Sequence, residues 1–144
     1  MNRVHAAVFA FALSAATTAT AMAADVTVTV KDVRNATGLV RIGVYNSAES
    51  FLKPPLAKTL QQAKAIPGDV TFVLHDLPAG RYAVASFHDE NETGKIEFGP
   101  LGVPVQGYGF SNDARGTEGP PAFARAAFDI DGKTDKAISL LLNY

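Results

Sequence analysis

The stretch from Val70 to Phe87, V-T-F-V-L-H-D-L-P-A-G-R-Y-A-V-A-S-F, determines the fold class. Its first half places Val70, Phe72 and Leu74 at alternate positions, which predicts a strand with one buried face. Residues 81–87 are apolar on both faces, which predicts a central strand covered on both sides. The Asp-Leu-Pro-Ala-Gly segment between them has the composition of a turn. The chain is therefore assigned to the β class.

Similar alternation appears on both sides of this stretch. Residues 25–32 and 39–45 predict two strands, and the Asn-Ala-Thr-Gly turn between them predicts a hairpin. Two further strands are predicted over residues 126–130 and 138–144. Residues 56–66 fit either a short helix or an edge strand, and a strand is favoured in the second half. Six or seven short strands without a long helix predict an all-β, antiparallel β-sandwich with one long Gly/Pro-rich loop.

The first residues have the pattern of a secretory signal peptide. Arg3 supplies a positive start, an apolar run covers residues 4–16, and Ala21-Met22-Ala23 provides small residues at a cleavage site. The apolar run is too short to span a bilayer, and no second run of spanning length follows it. We therefore expect residues 1–23 to be removed, residues 24–144 to form one domain, and the protein to be periplasmic or secreted.

Composition excludes several partner classes. The formal net charge is −1, which gives no electrostatic footprint for nucleic acid or for anionic membrane. The chain has no cysteine, so no disulfide contributes to its stability. A domain of this size can bury about two-thirds of its unfolded surface, so a hydrophobic core suffices.

Two motifs frame the long loop: His-Asp-Glu-Asn at residues 88–91 and Gly-Tyr-Gly-Phe-Ser-Asn at residues 107–112. With them, the chain from Val26 to Tyr144 resembles the bacterial Domain of Unknown Function 2141 family. The resemblance implies an exported β-sandwich, immunoglobulin-like or transthyretin-like, and implies no activity. Members typically look like D-x-N-x-N-G-x-x-D in the loop. This chain departs from that pattern with Thr93 in place of Asn and Glu97 in place of Asp.

The start of the loop predicts a cation site. Side-chain oxygens alternate and a glycine permits a sharp turn, as in the opening of a calcium-binding loop. The candidate ligands are Asp89, Asn91, Thr93, the carbonyl of Lys95, and Glu97, and the candidate cofactor is Ca²⁺. Pro100 stands where such a loop has its bidentate glutamate. The alternative is a polar turn whose side chains bond to their own backbone.

His88 beside Asp89 raises the alternative of a hydrolase with a general base and its orienting carboxylate. Neighbours on a strand point to opposite faces, so the two side chains do not naturally pair. Ser86 and Ser111 would reach His88 only through the folding of the loop. The alternative to catalysis is a histidine at a strand end, satisfied by loop carbonyls.

Tyr108, Phe110 and Asn112 are the candidate ligand-binding residues, since aromatic rings beside an amide suit a sugar or peptide surface. The alternative is that the rings cap one end of the core. Residues 98–106, between the two candidate sites, are assigned to a connector broken by Gly and Pro, with apolar Leu101, Val103 and Val105.

Three hypotheses follow from these patterns. The first is an exported, non-catalytic module that binds a ligand through residues 88–112 with the assistance of Ca²⁺. The second is a structural or interaction module of the cell envelope without a ligand, and the third is the hydrolase. The partner is unknown, and an envelope protein or a glycan is a candidate.

Overall fold

A computed structural model describes residues 22–144, so residues 1–21 and most of the predicted signal peptide lie outside the described part. Eight strands form two sheets, with a few short helical turns between them. The strands are β1 (Ala23–Val33), β2 (Leu39–Tyr45), β3 (Thr59–Lys64), β4 (Gly68–Pro78), β5 (Gly80–Asp89), β6 (Tyr108–Phe110), β7 (Phe128–Ile130) and β8 (Lys136–Leu141). Two 3₁₀ turns (Pro54–Leu56 and Ser111–Asp113) and helix α1 (Phe123–Ala126) complete the elements.

The sheets pack face to face and are mostly antiparallel. The smaller sheet has the order β4-β1-β8, and the larger has the order β3-β2-β5-β6, with β7 also paired to β5. The predicted all-β sandwich is confirmed, and seven of the eight strands correspond to predicted ones. The strand predicted over residues 126–130 is shorter than expected, because Ala126 ends α1 and β7 begins at Phe128. The strand that the sequence did not predict is β6, whose three residues are too few for alternation to be recognised.

The predicted hairpin between β1 and β2 is wrong. β1 pairs with β4 and, in parallel, with β8, whereas β2 pairs with β3 and β5. The turn between β1 and β2 therefore carries the chain from one sheet to the other. Their apolar faces meet across the core instead of lying side by side. The edge strand favoured in the second half of residues 56–66 is confirmed as β3.

The main core fills the space between the sheets. It takes the alternating valines of β1 and the inward residues of β2, β4 and β5. A second, smaller core covers the outer face of the larger sheet and contains Tyr45, Phe51 and Ala83, with Phe110 and Phe123 packed against it. β5 thus has both faces covered, as its apolar sequence predicts. Among the described residues, the members of both cores lie between Ala24 and Leu142.

Candidate functional site: the loop between β5 and β6

The loop of residues 90–107 leaves the larger sheet where Asp89 pairs with Leu39 at the start of β2. Its outer part, residues 97–105, forms a small hairpin that we call the apolar hairpin. Three backbone hydrogen bonds close it, from the amides of Val105, Gly99 and Gly102 to the carbonyls of Glu97 (3.0 Å), Val103 (2.9 Å) and Gly99 (3.0 Å) respectively. Gly102 has a φ of +71°, which glycine adopts without strain.

Apolar side chains cover the outside of the apolar hairpin. Phe98 is 60%, Leu101 92%, Val103 58% and Val105 55% exposed. Residues 98–105, F-G-P-L-G-V-P-V, contain no charged or hydrogen-bonding side chain. The sequence prediction assigns these residues to a connector and misses the surface they form. The available signal was a run of eight uncharged residues inside a polar loop.

Asp89 holds the base of the loop. Its side chain is fully buried, and Oδ2 accepts hydrogen bonds from Arg41 Nε (2.6 Å) and the Gly94 amide (2.8 Å). Oδ1 accepts from the Thr93 amide (3.0 Å). Burial alone would raise the pKa of Asp89, but the hydrogen bonds from Arg41 and the two amides outweigh it and lower the pKa. An ionised Asp89 therefore connects the start of the loop to β2.

Glu90 forms a second ion pair at the same base. Arg34 Nε and Nη2 donate to its two carboxylate oxygens at 2.9 and 2.5 Å, and the Asn35 side-chain amide donates at 2.6 Å. The hydrogen bonds from Arg34 are the main cause that lowers the pKa of Glu90 from 4.5 to about 2. The Arg34 guanidinium also lies 4.6 Å from the ring centroid of Tyr144, within cation–π range. The turn between β1 and β2 is thereby fixed against the loop.

The five predicted calcium ligands do lie in one turn, but their polar groups bond to one another and to Arg41. Asn91 Nδ2 donates to Glu97 Oε2 at 3.1 Å, and the Thr93 hydroxyl donates to the Lys95 carbonyl at 3.1 Å. The Arg41 guanidinium already supplies positive charge to Asp89, where a cation would have to bind. Within residues 22–144, no group of three or more His, Cys, Asp or Glu side chains is placed to hold a metal ion. Calcium binding stays a prediction, and this donor set does not fit it.

His88 is fully buried and does not meet Asp89. Its Nε2 lies 2.7 Å from the Thr37 carbonyl, which can only accept, so Nε2 is the donor. Nδ1 lies 2.8 Å from the Tyr144 hydroxyl. Ser86 donates to the Arg41 carbonyl, and Ser111 accepts from the Val84 amide. The described residues therefore do not assemble the grouping that the hydrolase hypothesis requires.

The predicted ligand-binding residues divide between two roles. Phe110 packs into the second core at a centroid distance of 6.2 Å from Phe51. Asn112, whose φ is +60°, donates to the Ala127 carbonyl at 2.8 Å and positions the chain after α1. Tyr108 is half-buried and lines a cleft of about 120 Å³ beside Arg115. The rings of Tyr108 and Phe110 lie against each other. Asn112 instead has a structural role, because its side chain holds the backbone of the following segment.

The glycines on either side of Tyr108 are required by close packing. A Cβ at Gly107 would collide with the ring of Tyr144, and one at Gly109 would collide with the Leu141 carbonyl. β6 lies against the C-terminal segment there, since Tyr108 and Asn143 exchange backbone hydrogen bonds of 3.0 and 2.8 Å. The Gly-Tyr-Gly-Phe motif therefore closes one side of the sandwich.

No helix among the described residues is long and apolar enough to cross a membrane. No curated protein and no solved structure gives a significant match to the chain. One family model, described as "Uncharacterized protein conserved in bacteria (DUF2141)", matches residues 28–138. This range contains the second core, most of the main core and the whole of the loop described above. The two loop motifs, the sandwich and the extent of the match agree, and the chain belongs to the DUF2141 family.

Proposed function

We propose that this protein is an exported, non-catalytic binding module that docks onto an apolar acceptor through the apolar hairpin. The observation that carries the proposal is the exposure of Phe98, Leu101, Val103 and Val105 on one ordered hairpin. Large exposed apolar area on a folded protein is typical of an interaction site, and all four side chains lie within eight residues of one hairpin. The pattern of residues 1–23 supports export.

The four side chains bring a moderate driving force. Complete burial of one such side chain contributes about 1.5–3 kcal/mol. Scaled by the exposed fractions of the four residues, burial of the apolar hairpin contributes about 4–8 kcal/mol. The lost translational and rotational freedom of association opposes this gain. The hairpin on its own therefore supports a weak, reversible attachment.

The rigid base favours binding, because a preorganised loop loses little conformational freedom when it docks. The Asp89–Arg41 and Glu90–Arg34 pairs connect the loop to β2 and to the turn before it. Buried Gln106 adds a third anchor, since its side-chain oxygen accepts from the Glu97 amide at 2.8 Å. All three anchors lie at the base, and none occupies the exposed tip. The proposal needs no cation, because these contacts order the loop by themselves.

Thiol labelling tests the proposal for any class of acceptor. The chain has no cysteine, so Leu101→Cys and Leu56→Cys each introduce a single thiol. Leu56 is 55% exposed and serves as the control. It precedes β3 near Thr59, which pairs with Val44 at the other end of β2 from the loop.

Both thiols of the purified proteins should react rapidly with a polar maleimide. In cells that express the protein, the thiol at position 101 should be protected while the thiol at position 56 still reacts. Equal labelling of the two thiols in cells would show that the apolar hairpin is free, and would overturn the proposed function.

A further inference from the structure

We propose that the acceptor of the apolar hairpin is the interfacial region of a lipid bilayer. This inference rests on the proposed function and names the chemistry of its partner. It requires that the tip be compatible with an environment that offers few hydrogen-bond partners, and that the contact not depend on charge.

The tip carries no polar side chain, and its backbone is partly satisfied from within. Of the eight residues 98–105, Pro100 and Pro104 have no amide hydrogen, and the amides of Gly99, Gly102 and Val105 donate inside the hairpin. Unsatisfied backbone groups are what excludes most loops from hydrocarbon. A protein interface would instead favour Tyr, Trp or Arg anchors and hydrogen bonds at its rim. The composition of this tip suits lipid better than it suits a protein surface.

The charges at the base of the loop are already paired. Arg34 and Arg41, the two arginines next to it, are bound to Glu90 and Asp89. Within residues 90–107 the one cationic residue is Lys95, and the same stretch carries the negative charges of Glu92 and Glu97. A basic patch that would bind anionic lipid is therefore lacking in this loop. Attachment should come from apolar insertion and should be insensitive to salt.

The geometry also limits the depth of insertion. The hairpin spans only residues 97–105, and the mostly polar residues 90–95 precede it at its base, separated from it by Ile96. Shallow interfacial binding buries an apolar surface about 5–10 Å deep. Leu101 at the tip is the most exposed of the four apolar side chains and should enter first.

The test uses residues 24–144, which contain both cores and exclude the apolar N-terminal run. Co-sedimentation with phosphatidylcholine vesicles should show binding that is the same in low and high salt. Leu101→Asp should lower the partition roughly tenfold or more, because it replaces an inserted leucine by a charge. Leu56→Asp makes the same chemical change at the other end of the larger sheet and should leave the partition unchanged. An environment-sensitive dye on Leu101→Cys should shift to the blue with vesicles, and the same dye on Leu56→Cys should not.

Several outcomes would overturn the inference. Binding only to vesicles that contain phosphatidylglycerol would indicate electrostatic attachment. Dimerisation in sedimentation velocity that Leu101→Asp abolishes, without vesicle binding, would assign the hairpin to a second copy of the chain. Absence of vesicle binding with continued protection of position 101 in cells would reject lipid and retain the proposed function with a protein acceptor. If the protein neither binds vesicles nor shows protection of position 101 in cells, both the inference and the proposed function are rejected.

Discussion

Removal of the Asp89 carboxylate should destabilise the protein more than any single change at the exposed tip of the loop. Asp89→Ala deletes the acceptor of the Arg41 guanidinium and of the Thr93 and Gly94 amides. The carboxylate is fully buried, so water does not already compete for these bonds. The guanidinium would remain beside an apolar methyl group without its counter-ion.

The size of the effect follows from these contacts. Breaking a buried ion pair by removal of one partner costs about 3–5 kcal/mol. The Arg41 side chain is 23% exposed and also donates to Gln62, so part of its charge stays solvated and paired. We therefore expect a loss near the lower limit, about 3 kcal/mol in the free energy of unfolding. With a urea slope of roughly 1.5 kcal/mol/M, the midpoint would fall by about 2 M.

Urea unfolding of residues 24–144 at pH 7 measures this loss, with Asp69→Ala as the control because Asp69 is exposed on β4. Arg41→Met and the double variant complete a cycle that isolates the coupling of the pair. The backbone amides of residues 90–107 should also exchange their hydrogens faster in Asp89→Ala than in the unmodified protein. A loss below about 1 kcal/mol, or additive effects in the cycle, would contradict the role assigned to the carboxylate.

Three further predictions concern pH, packing and calcium. Because the pKa of Glu90 in the folded protein is about 2, below its ordinary 4.5, its stabilisation is complete above about pH 5 and is lost as the pH falls toward 2. In Glu90→Gln, the free energy of unfolding should therefore fall less between about pH 5 and pH 2 than in the unmodified protein, by about 1–2 kcal/mol. The expected difference is this small because the partner Arg34 is half exposed. Urea titrations at several pH values measure it, and the same loss of stability in acid for both proteins would exclude this role of Glu90. Gly109→Ala should cost about 1–3 kcal/mol in urea unfolding because its Cβ meets backbone, whereas Gly99→Ala has room and should cost little. Millimolar Ca²⁺ should leave the melting temperature unchanged, because Arg41 occupies the charge position at Asp89; a rise that Asp89→Ala abolishes would restore the calcium hypothesis.

The strands could be predicted because their signal is local. Alternation with a period of two reports which face of a strand is buried, whatever strand lies beside it. The valines of β1 and the two-sided apolar sequence of β5 therefore identified the β class and the central strand. The pairing of β1 with β4 and β8 was not predictable in this way. A short turn can close a hairpin or cross between sheets, and only the packing of the whole core decides which of these forms.

The candidate site shows the same division. The sequence places Asp89 at the start of an oxygen-rich turn, and its spacing allows both a metal ion and, as the favoured reading, a loop that bonds to itself. Arg41, which completes its contacts, lies 48 positions earlier in the chain, where no local pattern connects the two. His88 likewise depends on Thr37 and Tyr144, at separations of 51 and 56 residues.

By itself, the sequence determined the β class, the family motifs and the uncharged composition of residues 98–105. Only the tertiary structure decided that this apolar segment lies outside the core. Apolar side chains are buried wherever a complementary face exists, and in this fold the two cores already cover both faces of β5 while β6 pairs with its edge. The apolar hairpin therefore points its side chains to the outside, which is a result of the complete packing and not of the local sequence.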